Sequence, residues 1–102
     1  MNKQKVLGAL SLCRRAGKLA IGADAVDDAL SKGAMLCVAA SDAAERTVRN
    51  TDAEERGAEL LRLELTMSEL EAGTGRKFAV AAVTDENMAK LVITSAREGG
   101  CL

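Results

Sequence analysis

The sequence predicts a three-layer α/β/α sandwich built on a mixed four-stranded sheet. Helical and strand patterns alternate along the chain, and no proline, internal repeat or low-complexity linker divides its 102 residues. That alternation is the mark of a layered α/β domain. Two strand segments are apolar throughout, so each needs cover on both faces of the sheet. The length suits one domain, residues 1–102, with a single core.

Each element has its own signal. Val6, Leu7, Leu10 and Cys13 recur at helical spacing, and Gly17 can stop that helix. Leu19-Ala20-Ile21 is a short strand. Helical spacing returns with Val26, Ala29 and Leu30, and Gly33 stands where a C-terminal cap belongs. Met35 to Ala40 is a continuous apolar run of strand length. Ser41-Asp42 is expected to cap a helix running through Ala44 and Val48 to about Gly57. Leu61, Leu63 and Leu65 alternate with Arg62 and Glu64, which predicts a half-exposed strand. Thr66 and Glu69 have the spacing of a capping box, opening a short helix that stops at Gly73. Phe78 to Val83 is the second wholly apolar strand. Thr84 is the expected cap of the last helix, with Asp85 and Glu86 in its first turn, where the dipole favours acids. Ala89, Val92, Ile93 and Ala96 form that helix's buried stripe, and Gly99-Gly100 release it.

Composition narrows the function. Histidine is absent, which removes Ser-His-Asp and Cys-His catalysis and most transition-metal sites. Phe78 is the only aromatic residue, so the usual base-stacking platforms for single strands are missing too. Cys13, Cys37 and Cys101 are odd in number and widely spaced, which suits reduced, packed thiols. No apolar run approaches the ~20 residues that span a membrane. The N-terminus is basic and then apolar, but Arg14-Arg15 follow where small cleavage-site residues would stand. It reads as an amphipathic helix of a cytoplasmic protein.

Charge is unevenly distributed. Residues 1–20 carry five bases and no acid, whereas residues 51–72 carry seven acids against Arg56 and Arg62. One end can meet a polyanion that the middle repels; two solvated helix faces of opposite sign explain the same pattern. Gly73-Thr74-Gly75-Arg76-Lys77 has the look of a phosphate loop but fails the GxxxxGK[ST] pattern. Asp24, Asp27, Asp28 and Asp42 can serve Mg²⁺ in principle, and helix capping explains them as well. No cofactor, metal or enzymatic activity is therefore expected. What remains is surface recognition: the turn at Gly22 points the free N–H groups of a helix start outward, and such groups bind phosphate or base acceptors.

The run RRAGKLAIGADAVDDALSKGAMLCVAASDA, residues 14–43, resembles the kink-turn RNA-binding ribosomal protein family, of the "L-seven-A-e" type, in its bacterial branch. The likeness continues through Met67-Ser68-Glu69-Leu70, Gly75-Arg76, and Phe78 to Lys90, in order and with matching spacing. It implies the same α/β/α sandwich and a partner in structured RNA, with ribosomal RNA one case. It also implies contacts from Gly22, Ala23 and Asp24 at a helix start. Gly75, Arg76, Lys77 and Phe78 would form a loop closing over a kinked backbone or extruded base, with phosphate contacts from Lys18, Lys32 and Arg46. That family grips sheared G·A pairs through a Gly-x-Asn-Glu-x-x-Lys type motif. Here Asp24 stands at the Asn position, Ala25 at the Glu position and Asp28 at the Lys position, a reversal of charge. The alternative is a protein-interaction module of the same fold, its acidic 51–72 segment meeting a basic ribosome-associated partner.

Overall fold

Five helices and four strands alternate in the computed structural model, which describes residues 3–98. They are α1 (Lys3–Arg15), β1 (Leu19–Ile21), α2 (Ala23–Ser31), β2 (Leu36–Ala39), α3 (Glu45–Arg49), β3 (Glu59–Arg62), α4 (Met67–Thr74), β4 (Val80–Val83) and α5 (Glu86–Glu98). The sheet order is β1-β4-β2-β3. β4 is antiparallel to both neighbours, while β2 and β3 run parallel through the α3 crossover. The expected mixed sandwich is the observed fold.

Register decides what each face carries. Ala20, Ala82, Cys37 and Leu60 form one cross-strand row and therefore share a face. Its small side chains let α2 sit close over β1 and β4. The turn after α3 joins α2 on this side, because Arg56 donates to the Asp27 carboxylate at 2.6 Å and to its carbonyl at 3.0 Å. On the opposite face, Leu36, Val38, Leu61, Ala81 and Val83 meet the layer of α1, α4 and α5, in which α1 packs against the other two. Glu59 lies on this face and takes Arg97 of α5 at 3.0 Å. β2 and β4 are buried at every position, as two-sided cover requires.

Several boundaries differ from expectation, each for a physical reason. α3 is only five residues long and does not reach Gly57. Asp52 takes φ 51°, a left-handed conformation that no helix continues through. Asp42 caps no part of α3; its Oδ1 accepts from the Met67 N–H at 2.9 Å, at the start of α4. β3 begins two residues before Leu61, though the buried alternation of Leu61, Leu63 and Leu65 persists beyond it. α4 passes through Gly73 to Thr74, and Gly73 packs tightly on α1 rather than ending the helix: a Cβ there would lie 2.7 Å from Leu7 Cδ2. β4 starts at Val80 rather than Phe78. The cap of α5 is Asp85, not Thr84, with Oδ1 accepting from Asn87 N at 2.8 Å and Met88 N at 3.2 Å. The Gly99-Gly100 stop and Cys101 lie outside the described residues. Cys13 and Cys37 are buried and unpaired, and burial pushes the Cys37 thiol up to about 11. No helix among the described residues is long and apolar enough to cross a membrane.

Candidate nucleic-acid interface

The start of α2 is open by construction. Gly22 adopts φ 97° and ψ 159°, a conformation essentially reserved for glycine, and carries no side chain to cap the helix. The first α2 amide to find an acceptor is that of Val26, on the Gly22 carbonyl at 2.9 Å. The N–H groups of Ala23, Asp24 and Ala25 have no acceptor among the described residues. Ala23 and Asp24 are exposed, and a Cβ built on Gly22 would meet nothing within 4 Å. The protein's own chain does not cover this turn. α3 also lacks a side-chain cap, but at five residues it is too short to sum much dipole.

A second segment arrives at the same end of the sheet. The antiparallel register brings the Gly22 N–H to the Val80 carbonyl at 3.5 Å, so the chain entering β4 runs beside the α2 turn. Arg76 and Lys77 stand four and three residues before Val80, within about 14 Å of extended chain. Both are exposed, and neither side chain has a carboxylate partner among the described residues. Phe78 departs from expectation. It is 4% exposed and part of the core, so its ring is not available to an extruded base. It anchors the loop instead.

The loop is held at its other end by Arg14. The Arg14 Nη1 donates to the Thr74 carbonyl at 3.2 Å, at the end of α4. It also stands 3.3 Å from where a Cβ on Gly75 would be, and Gly75 itself takes φ 86°. Glycine thus serves here both the turn and the close approach of the guanidinium. Sequence reading singled out the RRAGK run but not this role, because Thr74 lies 60 residues away along the chain.

Other expected contacts are dispersed. Lys18 is at the far end of β1, where its carbonyl accepts from the Thr84 N–H at 2.9 Å. Four residue steps along β1 separate it from Gly22 by roughly 13 Å. Lys32 follows the last turn of α2, roughly 15 Å along the helix from Gly22, and its Nζ pairs with Asp28 at 3.0 Å. Arg46 is exposed on α3 and has no partner among the described residues; the approach to α3 leaves the sheet at the Gly22 end, where Ala40 N–H bonds the Ala79 carbonyl at 2.9 Å. The structure therefore sets Gly22, Ala23 and Asp24 at the end of the sheet where the chain enters β4, with the approach to α3 and Arg46 at the same end; Lys18 and Lys32 lie toward the other, and Arg14, which holds Thr74 and Gly75, sits in the turn just before Lys18.

No family model and no curated protein matches the chain. Among solved structures, it is similar to a protein of unknown function from Bacillus halodurans C, at 22% identity and a TM-score of 0.83. The match covers 91% of this chain and 97% of that one, and the likeness is one of fold.

Proposed function

We propose that this chain is a non-catalytic, cytoplasmic binding module for structured RNA of the kink-turn type. The observation that carries the reading is that two features lie on chain segments sharing one end of the sheet. One is the uncapped amide turn at Gly22; the other is the cation-bearing loop entering β4, tethered by Arg14. Amides at a helix start suit phosphate oxygens, and Arg76 and Lys77 add charge without a competing carboxylate. The resemblance in residues 14–43 and 67–90 points to the same surface. Buried, unpaired Cys13 and Cys37 suit a reducing compartment.

A filter-binding titration of a kink-turn RNA at two salt concentrations tests this. Three phosphate contacts predict an affinity that falls about forty-fold between 50 and 200 mM salt. No binding at low salt rejects the reading. One observation would then favour the interaction module: a cleft of about 470 Å³ beside the edge strand β3, where Glu45, Asp52, Glu54 and Glu55 outnumber Arg49 and Arg62. A basic, ribosome-associated protein segment is the occupant that such a cleft suits.

A further inference from the structure

Independently of whether RNA binds at Gly22, we infer that the open edge of β3 takes an extended, basic peptide segment as a fifth strand, seated along the cleft beside α3. β3 pairs with β2 alone, so its other edge has no strand against it. Glu59 N–H bonds the Met35 carbonyl at 2.9 Å and Leu63 N–H bonds the Ala39 carbonyl at 2.9 Å, both toward β2. Backbone direction alternates along a strand, so the N–H and C=O groups of Leu60 and Arg62 point the other way. They have no hydrogen-bond partner among the described residues.

Some common guards of a sheet edge are missing here. The β2–β3 register runs without a bulge, and the chain has no proline. Along the edge lies the cleft of about 470 Å³, with Val48, Ala53 and Leu60 as its apolar surface. The side chains of Leu60 and Arg62 fall on one face of the sheet, and the cleft opens between them and α3 with the turn that follows it. What remains to guard the edge is short length and charge, and charge selects by sign.

That sign names the occupant. The carboxylates of Glu45, Asp52, Glu54 and Glu55 outnumber Arg49 and Arg62, and Glu45 already holds Arg62 at 3.0 Å. Asp52, Glu54 and Glu55 are exposed and have no cation partner among the described residues. A polyanion is repelled here. A second copy of this chain would set the same carboxylates against each other, because a two-fold interface meets itself. A peptide with Lys or Arg at alternate positions instead places its cations on the cleft face of the added strand, while its backbone meets the free groups of Leu60 and Arg62.

The probe is a blocked hexapeptide of alternating lysine and valine, titrated into the full chain and followed by amide chemical shifts. Saturable binding is expected, weaker at higher salt, with the Leu60 and Arg62 N–H groups shifted and slowed in hydrogen exchange. Methylating every second peptide nitrogen, in the phase that faces β3, is expected to weaken binding about ten-fold or more. Tolerance of methylation in both phases would mean charge attraction without strand addition, and overturns the inference. The double variant Glu54→Gln, Glu55→Gln is expected to bind about three-fold or more weakly. Unchanged affinity in that variant, or equal binding of a glutamate–valine peptide, would remove charge as the selector and overturn it as well. So would shifts of Leu60 and Arg62 on concentrating the chain alone, which put a second copy there, or on adding a kink-turn RNA, which put nucleic acid there. A lysine–valine peptide that never saturates ends the inference outright. Ala23 and Asp24 report RNA in the same spectra, so either claim can fail while the other stands.

Discussion

The helices α2 and α4 begin at the same end of the sheet, and they begin in opposite ways. At α4 the protein satisfies its own amides. Thr66 Oγ1 accepts from Glu69 N–H at 3.1 Å, Glu69 Oε1 accepts from Thr66 N–H at 3.0 Å, and Asp42 takes Met67 N–H at 2.9 Å. At α2 a glycine replaces the capping side chain, and the amides of Ala23 to Ala25 find no acceptor among the described residues. One helix start is satisfied within the chain; the other, among the described residues, is not. The same physics of orphan N–H groups governs both, so the difference lies in whether the sequence supplies an acceptor.

Substitution at Gly22 should have the largest effect on stability. Gly22→Ala is expected to lose ~1–3 kcal/mol by denaturant unfolding, because the native φ and ψ are strained for any residue with a Cβ. Gly22→Ser should lose a similar amount although serine is a good cap elsewhere. A Ser variant more stable than wild type would mean that the turn accepts an ordinary cap, and the contrast would dissolve. Thr66→Ala should cost less, ~1 kcal/mol, by stripping the acceptor from Glu69 N–H.

The smallest effect is a matter of pH. The Lys3 ammonium bonded to Glu69 at 2.7 Å, then the Thr66 amide, hold the Glu69 carboxyl below its usual 4.5. A lowered folded value contributes stability above the unfolded value, and that contribution is lost as pH falls through 4.5 toward the folded one. Glu69→Gln should therefore flatten the acid limb of the unfolding profile, more clearly at low salt because the pair is exposed. An unchanged limb would remove Glu69 from the account of α4.

Local chemistry was legible in the sequence; distant pairing was not. The Thr66–Glu69 box could be foreseen because both partners lie within one turn. Leu36–Ala39 and Val80–Val83 announced two-sided burial through unbroken apolar runs. Asp42 misled, because a capping residue beside a helical stretch says nothing about a helix start 25 residues on. Arg14 and Arg56 look like solvated charge until folding sets them on Thr74 and Asp27. Phe78, which the sequence offers both as the start of an apolar strand and as part of an RNA-closing loop, lies ahead of β4 with its ring in the core. The scatter of Lys18 and Lys32 away from Gly22 follows from strand register and helix rise, which no spacing along the chain reports.

Amide chemical shifts measured during titration with a kink-turn RNA test the central claim most directly, because both helix starts are observed in one molecule. The account predicts that Ala23, Asp24, Arg76 and Lys77 shift, while Met67 and Glu69, already bonded within the chain, do not. Saturable RNA binding that leaves Ala23 and Asp24 unmoved would contradict it.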